Sequence, residues 1–257
     1  MIDTHCHLDV PAFDADRDLV LARAAAAGVT GMLVPAIRPR TWGSLLELAR
    51  AQPAIRVALG IHPQIVPELD PDEMLDADGL ANAIAAAAPL AIAVGECGLD
   101  GGTGDREAQE QVFRAHIRAA RSLRRPLVVH ILRAHDRAPR ILREERAHEV
   151  GGVLHSYSGG AELVPVYAEL GFAFSFAGPI TYPSARRPVE AARAAPEDLL
   201  LVETDAPDQA PARHRGGRSE PAFLAEVIAG LAAARGVDAA AMLALTAANA
   251  RRVFRTW

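Results

Sequence analysis

The chain has 257 residues, with 27 basic and 32 acidic side chains and a formal charge of −5. So mild an acidity excludes a polycationic nucleic-acid coat and a disordered acidic tail, and any contact with DNA or RNA must be local. Half of the residues are hydrophobic, which excludes disorder and suffices to bury the core of one large domain or of two small ones.

Short β-branched or aliphatic runs alternate with longer Ala/Leu/Arg segments of helical period, the βαβ pattern of a parallel sheet. The pattern predicts eight strands, at 2–7, 30–36, 55–61, 91–96, 127–131, 152–157, 172–176 and 199–204. Helices fall between them, most clearly at 106–124, 134–147, 163–170 and 221–235, and a last one at 239–251 follows the eighth unit. Eight such units in about 250 residues predict an α/β fold, a (β/α)8 TIM barrel with an extra C-terminal helix. Glycines mark the joints and no Pro/Ser-rich linker intervenes, so 1–257 reads as a single domain. An open doubly wound sheet would carry a Gly-rich phosphate turn after the first strand, where this chain has histidines.

Cys6 and Cys97 are too few for a disulfide scaffold and suit free thiols in a reducing cytoplasm. The first residues lack the charged and apolar regions of a signal peptide, and the longest apolar stretch, 83–95, is broken by Pro89, so no membrane span is read. Every basic side chain is arginine. Without lysine there is no Schiff-base chemistry, no P-loop and no carbamylated-lysine metal bridge, and a bridge between two metals must be a carboxylate.

His5-Cys6-His7 closes the first predicted strand, where alternation places Asp3, His5 and His7 on one face and Cys6 on the other. Glu96 ends the fourth strand, His130 the fifth and His155 the sixth, and Asp205 follows the eighth. Strand C-termini are where barrel active sites are built. Four imidazoles and two carboxylates converging there read as a metal site for two divalent ions, Mg²⁺, Mn²⁺ or Zn²⁺. His5, His7 and Asp205 would serve one ion and His130 and His155 the other, with Glu96 as the bridge. Two ions add about +4 and attract an anionic substrate.

His62, at the end of the third strand, either reaches a phosphate oxygen or caps its loop. Arg133 either does the same or is a solvated residue of the following turn. Asp3 and Glu203 either accept hydrogen bonds from ligating imidazoles or form core salt bridges. Arg213, Arg215 and Arg218, with His214, form either a backbone-tracking patch or a solvated loop paired with Glu220. His116, His135 and His148 lie on helical segments and read as surface or half-buried residues.

The motifs Ile2-Asp3-Thr4-His5-Cys6-His7-Leu8-Asp9, Gly60-Ile61-His62-Pro63, Gly95-Glu96-Cys97-Gly98-Leu99-Asp100, His155-Ser156-Tyr157-Ser158-Gly159 and Glu203-Thr204-Asp205-Ala206-Pro207 occur in that order. With them the sequence resembles, almost end to end, the TatD family of metal-dependent hydrolases in the amidohydrolase-like superfamily. The resemblance implies divalent-metal-dependent deoxyribonuclease activity, often 3′ to 5′ exonucleolytic, with DNA as substrate. It also implies the metal ligands His5, His7, Glu96, His130, His155 and Asp205. The chain departs from the family pattern at Gln64, Gly101-Gly102, Leu132 and Ser219, so the metal set is intact where substrate-facing positions have drifted. The mechanism implied is a metal-activated water, oriented and deprotonated by Asp205, with Glu96 completing the catalytic pair. Two other readings remain at this stage: a two-metal hydrolase of a small ester, lactone or amide, and a metal-binding scaffold without turnover.

Overall fold

The computed structural model describes all 257 residues, Met1–Trp257. Eight strands form one sheet in the order β1-β2-β3-β4-β5-β6-β7-β8. They are β1 (Ile2–Asp3), β2 (Gly31–Pro35), β3 (Ile55–Leu59), β4 (Ala91–Asp100), β5 (Leu127–Leu132), β6 (Gly152–Leu154), β7 (Phe172–Phe176) and β8 (Leu200–Val202). The helices between and after them are α1 (Arg17–Ala26), α2 (Trp42–Ala51), α3 (Ala77–Ala86), α4 (Arg106–Leu123), α5 (Ala138–Glu144), α6 (Val164–Ala168), α7 (Arg186–Ala194), α8 (Leu224–Arg235) and α9 (Ala239–Phe254). This is the (β/α)8 barrel read from the sequence, with α9 as the extra C-terminal helix. No single helix is long and apolar enough to cross a membrane.

The chain falls into two compact units, one of Met1–Val34, His155–Ala168 and Ala173–Trp257, the other of Pro35–Leu154 and Glu169–Phe172. In the first, β1 pairs with β2 in parallel and β7 with β8. Beyond β1 the Thr4 amide donates to Val202 O and the Asp205 amide to His5 O, so the ends of β1 and β8 are joined. Val227, Ile228 and Leu231 of α8 and Phe254 of α9 are buried with Phe174 and Phe176 of β7. Asp238 caps α9 by accepting from the amides of Ala240 and Ala241, which satisfies donors that have no partner inside the helix. From within α9, Asn249 Nδ2 donates to Leu200 O at 2.9 Å and anchors the helix to β8.

In the second unit β3, β4, β5 and β6 pair in parallel. The long helix α4 buries Val112, Phe113, His116, Ile117 and Ala120, an apolar stripe at the helical period. Its outer arginines are taken up by acids: Arg114 and Arg118 by Glu145, and Arg121 by Glu149. They belong to a salt-bridged face.

Most element boundaries differ from the sequence reading by a few residues, and three of the differences have a physical reason that bears on the site. The first strand stops at Asp3 instead of His7. Thr4 donates toward β8 but Cys6, two residues on, donates to Leu33 O of β2, whereas residues two apart in a regular strand donate to the same side. The alternation argument for His5 and His7 therefore fails, although the roll of the backbone still brings them together. The fourth strand does not end at Glu96. It continues to Asp100 across a register shift between Val94 and Cys97, and Glu96 sits in that bulge. Gly95 and Gly98 flank it with φ of 138° and 139°, and a Cβ there would lie 2.4 Å from Val128 O or 2.0 Å from His130 O. The helix predicted at 134–147 is α5, shortened to 138–144, with the αL residues Arg133 and Arg146 on either side.

Candidate metal centre

The first unit gathers His5, His7, His155, Glu203 and Asp205 beyond the ends of β1, β6 and β8. His5 Nε2 lies 3.1 Å from His7 Nε2. The His5 and His155 rings stack at 3.9 Å between centroids. Asp205 Oδ1 is 3.6 Å from His5 Nε2 and 3.8 Å from His7 Nε2. His155 Nδ1 is 3.4 Å from Glu203 Oε1, and the Ser156 amide donates to that same oxygen at 2.5 Å. Burial pushes the Glu203 carboxyl up. The His155 hydrogen bond, the charges of His155 and His5, and a hydrogen bond from Ser175 outweigh it and hold Glu203 below its ordinary value. Glu203 thus stands beside a histidine as an acceptor.

Asp3 is used differently. It accepts from the amides of His5 and Thr204 and from the Thr204 hydroxyl, so it ties the chain after β1 to the chain after β8. Burial pushes its carboxyl up to about 7, against the pull of those hydrogen bonds.

The second unit gathers His62, Glu96, Asp100 and His130 beyond β3 and along β4 and β5. Glu96 Oε1 lies 3.1 Å from His62 Nε2 and 3.2 Å from His130 Nδ1, and His130 Nε2 lies 3.4 Å from Asp100 Oδ2. His62 caps the 3-10 turn Pro63–Glu68, its Nδ1 accepting from the Gln64 amide at 3.1 Å. In the neutral ring the proton must then sit on Nε2, toward Glu96. Gln64 in turn donates from Nε2 to Asp100 Oδ2 at 2.7 Å. Hydrogen bonding to His130, then to Gln64 and the Gly102 amide, holds the Asp100 carboxyl well below the usual carboxylate range despite its burial. Arg133 is exposed at the end of β5 in left-handed conformation.

Of the remaining sequence candidates, Arg218 pairs with Asp16 and Glu220, and His214 pairs with Glu226 and stacks on Phe223. Arg215 lies over the Tyr182 ring. Arg215, Arg218 and His214 thus go to separate partners, and Arg218 takes the Glu220 pairing. Cys6 and Cys97 are free and buried, and burial pushes both thiols well up. His116 is fully buried, not at the surface. Its Nε2 accepts from the Ile61 amide at 2.9 Å, its Nδ1 lies 2.7 Å from Val112 O, and burial lowers its pKa to about 4. Sequence reasoning also passed over Asp100 and Gln209. Asp100 stands at the i+4 position from Glu96 in a motif already noticed, whereas a lone glutamine in a loop carries no signal.

The donor sets fit a divalent cation. Single donor atoms of His5, His155 and Glu203 lie within 4.8 Å of one another; in the second unit Glu96 and His130 stand equally close, with His62, whose lone pair is committed to the Gln64 amide, beside them. Imidazole nitrogen mixed with carboxylate oxygen suits Mn²⁺ or Zn²⁺ and accommodates Mg²⁺. A cavity of about 590 Å³ opens beside α7 and α8, lined by Ile180, Val189, Arg193, Ala229 and Gly230. None of the candidate ligands lines it, and titratable side chains at strand ends are the stronger mark of a barrel's chemistry.

A (β/α)8 barrel with carboxylate and imidazole donors at and beyond its strand ends is a scaffold on which metal-dependent hydrolysis is built. The family described as "TatD related DNase" matches residues 2–255, and the chain belongs to it. A Bacillus subtilis protein called "Uncharacterized metal-dependent hydrolase YabD" is 32% identical over 99% of both chains. A Salmonella typhimurium protein called "3'-5' ssDNA/RNA exonuclease TatD" is 32% identical, covering 99% of this chain and 98% of its own. The crystal structure of YjjV, a TatD homologue from Escherichia coli, superposes with a TM-score of 0.92 at 31% identity, covering 100% of this chain and 98% of that one.

Proposed function

We propose that this metal-dependent hydrolase is a 3′ to 5′ exonuclease that releases nucleotides from single-stranded DNA with the help of two divalent ions. The observation that carries the reading is the grouping of Asp205 with His5 and His7 at 3.6 and 3.8 Å, a proton acceptor beside two metal-binding imidazoles. The Salmonella relative's name supports the choice of nucleic acid. The ligands in this reading are His5, His7, His155 and Asp205 in the first unit and Glu96 and His130 in the second.

A divalent ion held there supplies Lewis acidity, acidifying water and offsetting the charge that builds on phosphate oxygens. The protein does the rest. Asp205 accepts the proton of the attacking water. Glu203 accepts a hydrogen bond from His155 Nδ1–H, which keeps the proton there and turns the Nε2 lone pair toward an ion. His62 directs its Nε2–H at Glu96 and holds that carboxylate ionised and oriented. Arg133, exposed beyond β5, reaches a non-bridging phosphate oxygen. We also place the protein in the cytoplasm, where its two buried thiols stay reduced.

The test is degradation of a labelled single-stranded DNA by metal-stripped protein reconstituted with Mg²⁺, Mn²⁺ or Zn²⁺, alongside Asp205→Asn. Stepwise, metal-dependent loss of 3′ nucleotides that falls about 10²- to 10⁴-fold in the variant is the expected result. Intact DNA with metal bound contradicts the substrate assignment and points to small esters or lactones.

A further inference from the structure

Asp205 and Gln209 lie four residues apart on the loop that follows β8, each with a left-handed φ of 50°. The Asp208 amide closes the turn by donating to Asp205 O at 2.8 Å, and Gln209 Nε2 donates to Asp205 Oδ2. At its other end the same side-chain amide accepts, through Oε1, from Ser156 Oγ at 2.8 Å. The Ser156 amide donates to Glu203 Oε1 at 2.5 Å, the oxygen beside His155 Nδ1. A chain of contacts therefore runs from Asp205 through Gln209, Ser156 and Glu203 to His155, joining the loop after β6 to the loop after β8.

Its polarity is forced. A carboxylate only accepts, so Gln209 must turn its NH₂ toward Asp205 and its carbonyl toward Ser156, whose hydroxyl must then donate. The two oxygens of Asp205 become unequal: Oδ2 is held by Gln209, while Oδ1 lies near His5 and His7. The carboxylate torsion is broad and roughly two-fold, and the Gln209 hydrogen bond favours one of its rotations.

We propose that Gln209, itself oriented by the Ser156 hydroxyl, is a positioning residue that fixes the rotation of the Asp205 carboxylate and so sets the divalent-ion affinity of the His5, His7 and Asp205 group. The proposal rests on the reading that this group holds an ion. Side chains of similar size do not replace the amide. Leucine lacks the donor, asparagine is one methylene too short, and glutamate would set a second carboxylate against Asp205.

The experiment is a Mn²⁺ titration of the full-length protein, with free ion followed by electron paramagnetic resonance and melting temperature recorded in parallel. The proteins are the wild type, Gln209→Leu, Ser156→Ala, Ser156→Gly and the double variant Gln209→Leu/Ser156→Ala. Gln209→Leu should weaken one Mn²⁺ site about 10- to 100-fold with little change in melting temperature. Ser156→Ala should weaken the same site by less, and so should Ser156→Gly, which removes the hydroxyl at a left-handed backbone, φ 40°, that glycine adopts without strain. The double variant should bind no more weakly than Gln209→Leu alone, because both substitutions cut one chain. Should Gln209→Leu melt early, the Ser156→Ala and Ser156→Gly pair decides. Wild-type affinity in Gln209→Leu, or in Ser156→Ala, overturns the proposal. A wild-type protein that binds no Mn²⁺ contradicts the metal reading itself and removes the proposal with it.

Discussion

The two donor clusters use similar side chains but hold them differently. In the second unit, Glu96, Asp100 and His130 lie within paired strands, Gly98 standing directly opposite His130 in the ladder between β4 and β5. Their positions follow from backbone register. In the first unit, His5, His7, His155 and Asp205 lie past the ends of their strands, and the backbone at Ser156 and Asp205 is left-handed. There the side chains are held by side-chain and amide hydrogen bonds through Asp3, Glu203, Ser156 and Gln209. A ladder-held cluster should tolerate loss of a polar partner but not a change of backbone. A loop-held cluster should behave in the opposite way.

The largest effect expected is common to both and would break the comparison if it were not. Glu96→Gln in the ladder-held cluster should lower metal-dependent hydrolysis about 10²- to 10⁴-fold, as Asp205→Asn does in the loop-held one. Turnover at saturating metal measures both. The next effect separates backbone from side chain. Gly98→Ala places a Cβ 2.0 Å from His130 O at a φ of 139°, and should cost about 3 kcal/mol or more. Gly216→Ala, at a φ of 88° with nothing within 4 Å, should cost about 1 kcal/mol. Urea unfolding compares the two.

A pH effect sharpens the picture of the second unit. His116 supports Ile61, next to His62, through a neutral imidazole whose pKa burial lowers to about 4 from 6.5. Between those values the unfolded chain binds the proton and the folded chain does not. The stabilisation is therefore fully present above pH 6.5 and is lost as pH falls toward 4, by about 3 kcal/mol at most. His116→Gln should flatten that slope in unfolding measured from pH 7 to 4. The smallest effect is on Asp100, which contacts His130 and Gln64. Asp100→Asn should weaken Mn²⁺ binding at the second unit's cluster by about 10-fold, and by less than Gln209→Leu weakens the first.

The sequence exposed the parts of this arrangement that rest on periodicity. Alternating apolar runs gave the eight units, and the six ligand-type side chains His5, His7, Glu96, His130, His155 and Asp205 drew notice because they recur at the ends of the predicted strands. What stayed hidden depends on tertiary partners. β4 reads as ending at Glu96 because Gly95 and Gly98 interrupt its apolar run, yet those glycines are what lets the ladder pass around the bulge to Asp100. His116 reads as a surface or half-buried imidazole, although it falls on the same helical stripe as Val112, Phe113 and Ala120. Gln209 acquires its role only when the loops after β6 and β8 meet at Ser156.

The most direct test of the account is anomalous diffraction from a crystal of the protein soaked in Mn²⁺. Two peaks are predicted, one among His5, His7, His155 and Asp205 and one at Glu96 and His130. Density showing both groups of side chains ordered, with no anomalous peak at either under saturating Mn²⁺, would contradict the assignment of these residues as a metal centre.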